Sequence, residues 1–160
     1  MPVVSLREIT DGNRAVVEAL AVSDEQDDYV ASVTVSLADA VEYPEAMAWY
    51  RAIYADDEPV GFVMISDGIT SDDPTLLGPY YLWRLLVDRR HQGKGYGSAA
   101  IDLVVDHLHG RPDADELLVS CHVGPATPIP FYERYGFVRT GQVHEGEPVL
   151  ALPLRRPSSR

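Results

Sequence analysis

Apolar and polar positions along the chain predict helices interleaved with strands. Residues 3–9, VVSLREI, alternate well enough for a strand, and Thr10 or Asp11 then makes a good N-cap for a helix over NRAVVEALAV. Residues 24–48 are acidic and contain two helix-like pieces, DEQDDYVASV and SLADAVEY, the second halted ahead of Pro44. WYRAIYA and PVGFVMIS read as a hairpin joined by the polar turn DDE, and residues 67–78 form a turn-rich loop. YYLWRLLVD is almost unbroken in its apolar character, which predicts a strand buried on both faces. After the glycine loop HQGKGYGS comes AAIDLVVDHL, where Ile101, Val104, Val105 and Leu108 recur at helical spacing and Asp102, Asp106 and His109 face away. The strand ELLVSCHV, the proline-rich bend GPATPIP and the short helix FYERY, closed by Gly136, follow. FVRTGQV and PVLALPL end the chain as a second hairpin.

Helices between strands imply an α/β layered domain, and the hairpins require a mixed rather than purely parallel sheet, an α+β arrangement. With 160 residues the chain fits one domain, expected over residues 1–154, with RRPSSR at 155–160 as a short tail. A composition of 46% apolar and 24% charged residues excludes a largely disordered chain. No apolar run approaches the roughly 18 residues of a membrane span, and the opening MPVVSLREIT lacks a signal peptide's layout. The single cysteine, Cys121, cannot form an internal disulfide, so a cytoplasmic location is expected, and Cys121 itself is expected as a buried apolar residue.

Charge changes this picture through its distribution. The first 60 residues hold 13 acids against three bases, out of a net charge of −12, whereas Arg84, Arg89, Arg90 and Lys94 crowd together with only Asp88 opposing them. The global sign disfavours nucleic acid as a partner. It leaves two readings open, a merely solvated acidic surface, or an anionic ligand at the basic island with a cationic one towards the acidic half. The five histidines show no metal-ligand spacing, so no metal is expected.

Gly93, Gly95 and Gly97 alternate between a strand and an amphipathic helix. Glycines there allow a sharp turn, and the N–H groups of a helix's first turn attract anions, phosphate above all. Two familiar phosphate loops fail. Gly93-Lys94 is followed by Gly95 instead of the Ser or Thr of a P-loop, and G-x-G-x-G late in the chain is not the G-x-G-x-x-G of a dinucleotide fold. A third pattern fits. Gln92-Gly93-Lys94-Gly95-Tyr96-Gly97 resembles the Q/R-x-x-G-x-G/A signature of the GNAT superfamily of N-acetyltransferases. Phe131-Tyr132-Glu133-Arg134-Tyr135-Gly136-Phe137 resembles that family's later FYxxxGF motif, and the order of elements matches throughout. Within the superfamily the front half is most similar to bacterial spermine/spermidine N-acetyltransferases.

The resemblance implies a twisted central sheet, mixed and mostly antiparallel, of about six to seven strands flanked by helices. It implies direct transfer of an acetyl group from acetyl-CoA to a primary amine of a small molecule, a polyamine or diamine among the candidates. Leu85, Leu86 and Val87 would pair with the pantetheine arm, and an N–H near Leu86 would polarise the thioester carbonyl. The pyrophosphate would rest on backbone from Gln92 through Gly93, Lys94, Gly95, Tyr96 and Gly97 to Ser98. Tyr132 would be the general acid that protonates the departing thiolate. Tyr81 and Trp83 are candidates to wall an amine pocket, with Tyr29 and Glu42 as further substrate contacts. Two positions depart from the family. Pro125 stands where an asparagine often contacts the cofactor, and Trp83 where the polyamine enzymes carry an acid. Acetylation of a protein N-terminus or lysine, and a non-catalytic acyl-CoA-binding module, remain open alternatives, and a homodimer through the terminal strands is a further expectation.

Overall fold

The computed structural model describes residues 2–22 and 31–154. Among these, seven strands form one sheet in the order β1-β2-β3-β4-β5-β7-β6. The strands are β1 (Val4–Arg7), β2 (Ala48–Ala55), β3 (Glu58–Asp67), β4 (Tyr80–Val87), β5 (Glu116–Ser120), β6 (Val138–His144) and β7 (Glu147–Pro153). Both expected hairpins are present, β2–β3 and β6–β7, and every neighbouring pair is antiparallel except β4–β5. The mixed α+β architecture follows.

Among the described residues the α-helices are α1 (Arg14–Glu18), α2 (Val33–Glu42), α3 (Tyr96–Leu108) and α4 (Ile129–Tyr135). Strand alternation sorts the core into two layers. Ile53, Val63 and Ile65 face α3 and α4, meeting Ile101, Val104, Leu108, Ile129 and Tyr132. Ala52, Phe62 and Met64 face the opposite way and bury Val17, Val33 and Leu37 of α1 and α2. As the helical spacing requires, Ile101, Val104 and Leu108 are buried, Val105 packs at their edge, and Asp102, Asp106 and His109 are exposed.

Several local expectations are revised. The N-cap of α1 is Asn13; Thr10 instead closes the turn before it, its N–H donating to Asn13 Oδ1 at 2.7 Å. Helix α2 begins earlier than the SLADAVEY segment because the Ser32 hydroxyl accepts the Val35 N–H. Helix α3 begins at Tyr96, inside the supposed loop, and β5 stops at Ser120, leaving Cys121 buried just past its end. The expected helix DEQDDYVASV falls mostly on residues 23–30, outside the described residues, as do Tyr29 and the tail at 155–160.

Candidate active site

The site is made by two strands that part. Parallel β4 and β5 share a single bridge, Tyr81 to Leu118, and beyond it a cleft of about 1030 Å³ opens between them. Its walls come from β4, the glycine loop, the start of α3, the residues after β5, and α4. This explains why β4 is not buried on both faces as its apolar run predicted. Only Tyr80, Leu82 and Leu86 are fully buried, and the rest are held half-open by the cleft.

A β-bulge shapes the wall. Pairing with β3 passes from Met64–Arg84 to Ile65–Leu82, so Trp83 is an extra residue on β4. The bulge reverses the side-chain parity. Before it, Tyr80 and Leu82 face α3 and α4; after it, Leu85 and Val87 do. Trp83 packs on the opposite layer, and Arg84 reaches Asp39 on α2 at 2.9 Å while its other nitrogen donates to the Trp83 carbonyl. Arg84 therefore leaves the basic island that the sequence gathered, and its charge is matched on the α2 face. Leu86 is buried against the α1/α2 layer, and its carbonyl faces Gly61 on β3. By strand alternation the backbone groups facing the gap belong to Leu85 and Val87, not to Leu86.

At the far end of the cleft the glycine loop runs into the start of α3 with its backbone open. Gly93 and Gly95 have φ of +80° and +82°, and a β-carbon on either would meet nothing within 4 Å. Backbone there is open to an approaching group, and only glycine adopts it without strain. Gly95 caps α3, and Tyr96, Gly97 and Ser98 form its first turn, where N–H groups have no helical carbonyl to reach. Gln92 is held by its side chain, which donates to the Val87 carbonyl at 2.9 Å, and the Tyr96 ring is buried in the core. Gly97 has a different reason to be glycine, because a β-carbon would crowd the Phe131 ring at 3.2 Å. Lys94 is exposed at the rim.

The loop is anchored by an acid that the sequence reading treated only as an opposing charge. Asp88 is 2% exposed, and its carboxylate accepts from the Ala21 N–H at 2.9 Å and from the Arg90 N–H and Nε. Burial works against its charge, but these hydrogen bonds outweigh it and hold the carboxyl below the usual Asp range. The turn after β4 is thus tied to the end of α1.

Tyr132 lies on α4 and lines the cleft. Its ring is held edge-on between Phe131 and Phe137, at 5.1 and 5.2 Å, and among the described residues its hydroxyl has no hydrogen-bond partner. Burial first, then the neighbouring Cys121 and Tyr81, push its pKa far up, so it is a neutral hydroxyl with a proton to give. Burial also pushes the Cys121 thiol up to about 12, which removes the thiolate that a nucleophile needs. Before α4, Pro125 is exposed, and the bend is closed without an asparagine. Thr127 Oγ1 donates to the His122 carbonyl at 2.6 Å and accepts the Ile129 N–H. Of the substrate candidates, Tyr81 and Trp83 line the cleft, whereas Glu42 is exposed at the end of α2, away from it. Sequence reasoning missed Ser120 and Glu147, which also line it. The only trace of them was the alternation of their strands. Among the described residues no group of three or more His, Cys, Asp or Glu is placed to hold a metal ion, and no helix is long and apolar enough to cross a membrane.

Diverging parallel strands over a glycine-capped helix N-terminus, with a neutral tyrosine beside the gap, make a candidate site for an acyl-CoA-dependent transferase. The profile of the Acetyltransferase (GNAT) family matches residues 14–137, and the chain belongs to that family. It is 30% identical over 154 residues to the spermine/spermidine N(1)-acetyltransferase of Bacillus subtilis (strain 168), covering 94% of this chain and 99% of that protein. Among solved structures it resembles an aminoglycoside acetyltransferase AAC(6')-Ib in complex with coenzyme A (TM-score 0.71, 18% identity, 93% of this chain and 92% of that one). It also resembles a PaiA N-acetyltransferase from Thermoplasma acidophilum in complex with coenzyme A (TM-score 0.62, 13% identity, 94% and 99%). The protein is an acetyl-CoA-dependent N-acetyltransferase.

Proposed function

We propose that the acceptor is a primary amine of a small molecule, a polyamine or diamine in particular, and that the cleft between β4 and β5 is where it meets the acetyl group. One observation carries this reading: the cleft joins a glycine-capped helix start with open backbone at one end to a neutral tyrosine hydroxyl within that has no hydrogen-bond partner among the described residues. That helix start suits acetyl-CoA, since Gly93 and Gly95 leave the backbone bare where a pyrophosphate needs it. Acetyl-CoA supplies an activated acetyl group. Backbone from Gln92 to Ser98 holds the diphosphate, and Leu85 and Val87, flanking Leu86, offer strand-edge groups to the pantetheine amides. Tyr132 gives its proton to the departing sulfur, as a neutral hydroxyl in a dry site can.

The acceptor approaches from the α1/α2 side, past Tyr81 and Trp83. The similarity to a spermine/spermidine enzyme and the 13 acids of the first 60 residues both support a cationic amine. We further propose a cytoplasmic enzyme whose catalytic domain spans residues 1–154. Homodimerisation through β6, whose Val138 and Val143 are exposed, belongs to the same reading. The test is to incubate the protein with acetyl-CoA and a panel of polyamines, amino sugars and peptide amines, following free thiol. Polyamines and diamines should turn over fastest, with the preference shrinking as salt rises, because exposed charges are screened beyond about 8 Å at physiological ionic strength. Faster turnover of peptides or of an anionic amine overturns the assignment.

A further inference from the structure

The acceptor side of the cleft carries a hydrogen-bonded row that the roles above leave unused. Tyr81 Oη stands 2.9 Å from Ser120 Oγ, and Ser120 Oγ stands 3.1 Å from Glu147 Oε1. Three strands bring them together. The bridge between Tyr81 and Leu118 places Ser120 two residues further along β5, on the side where the strands part. Ser120 is opposite Val149 on β7, which makes Glu147 its diagonal neighbour on the same face. All three side chains line the cleft, and all three are half-buried.

Hydrogen-bond bookkeeping gives the row a direction. An ionised carboxylate only accepts, so Ser120 donates to Glu147. That uses the single serine proton, so the Tyr81 hydroxyl donates to Ser120, and the lone pairs of Tyr81 Oη are what it offers the cleft. Tyr132 is its opposite, a hydroxyl with its proton uncommitted. The two also stand on opposite layers. Tyr81 packs with Leu118, Val149 and Ala151, whereas Tyr132 belongs to the α3/α4 core. One tyrosine that accepts and one that donates thus flank the gap from its two sides.

We propose that Tyr81 takes the proton that the amine must lose, and that Ser120 and Glu147 carry it away. This rests on the amine-acetylation reading above. The attacking nitrogen enters as the neutral amine, its ammonium proton having gone to water; as it bonds to the acetyl carbon and the carbon–sulfur bond breaks, one N–H bond breaks and its proton goes to Tyr81 Oη. The Tyr81 proton moves to Ser120 Oγ, and the serine proton moves to Glu147 Oε1. The sulfur takes its proton from Tyr132. Glu147 then releases a proton to water, and Tyr132 recovers one from water, which closes the cycle. Tyr81 is the catalytic residue of the row, and Ser120 and Glu147 act through it. Among the described residues, the other charged and titratable groups near Tyr81 are Tyr132 on α4, Arg84 on β4, bound to Asp39 of α2, and Cys121 past β5.

Tyr81→Phe, Ser120→Ala and Glu147→Gln test this against the wild type, with acetyl-CoA and a diamine, by kcat across pH and by calorimetric titration of CoA. Each variant should lose about 10²-fold in kcat, recovering partly at high pH where solvent takes the proton, with CoA affinity unchanged. Ser120→Thr, which keeps the hydroxyl, should restore activity. Thermal unfolding and CoA binding identify any variant that has lost its fold, and the remaining two still decide the matter. Wild-type kcat and pH profile in Ser120→Ala, with only the amine KM raised in Glu147→Gln, would make Glu147 an electrostatic anchor and overturn the relay. If the wild type acetylates no amine, the acetylation reading fails and the relay with it. If the wild type acetylates amines and all three variants match it, the relay alone fails.

Discussion

Gly61 of β3 lies against the carbonyl oxygen of Leu86 on β4, so closely that a β-carbon added to it would collide with that oxygen and come within 3.1 Å of the Ile53 side chain. Neither obstacle yields easily, one being backbone and the other a fully buried side chain. Gly61→Ala should therefore push β4 towards the cleft. We expect a stability loss of about 1–3 kcal/mol, the usual scale of overpacking, in urea unfolding, together with a raised KM for acetyl-CoA. A variant as stable as the wild type with unchanged KM would show that the two strands slide apart freely.

Tyr132→Phe removes one hydroxyl and keeps the ring between Phe131 and Phe137. Because that hydroxyl has no partner among the described residues, its loss leaves nothing unsatisfied, and stability should hold. If it protonates the sulfur, kcat should fall about 10²-fold at constant CoA affinity. Unchanged kcat would reduce Tyr132 to a packing residue.

The glycines of the loop should separate by phenotype. Gly95→Val puts a branched side chain at a φ of +82° in open space, costing about 1–2 kcal/mol in backbone strain and standing in the space proposed above for the diphosphate. Its chief mark should be a raised KM for acetyl-CoA. Gly97→Val instead meets Phe131 at the junction of α3 and α4, and should chiefly lower the melting temperature. Reversed phenotypes would place the diphosphate elsewhere in the loop.

Asp88 predicts how stability responds to acid. Its folded pKa lies below its unfolded value near 3.9, so its contribution is fully present above that value and is lost as pH falls through the folded one. Asp88→Ala leaves the Ala21 N–H and the Arg90 donors without their acceptor, at a cost of about 1–3 kcal/mol near neutrality. The gap between wild type and variant in denaturant unfolding should narrow as pH drops below about 4. A gap that stays constant with pH would mean that the carboxylate's charge contributes nothing.

The alternation of VVSLREI, the hairpin WYRAIYA–DDE–PVGFVMIS and the spacing of Ile101, Val104 and Leu108 were enough to place strands and helices. They sufficed because period-2 and period-3.6 burial is written locally, residue against residue. The glycine loop was legible for the same reason, since positive φ at Gly93 and Gly95 and an open helix start are properties of a few consecutive residues. Which carbonyls face the gap was not legible. That depends on one extra residue, Trp83, set by the pairing of β4 with β3, and a bulge reverses every side chain beyond it without leaving a mark in the apolar pattern. The pairing of Arg84 with Asp39 and the anchoring of Asp88 on Ala21 were equally hidden, because they join positions 45 and 67 residues apart. Likewise the row from Tyr81 through Ser120 to Glu147 exists only where three strands meet, since hydrogen-bond geometry is decided by the spatial neighbours that register and strand order supply.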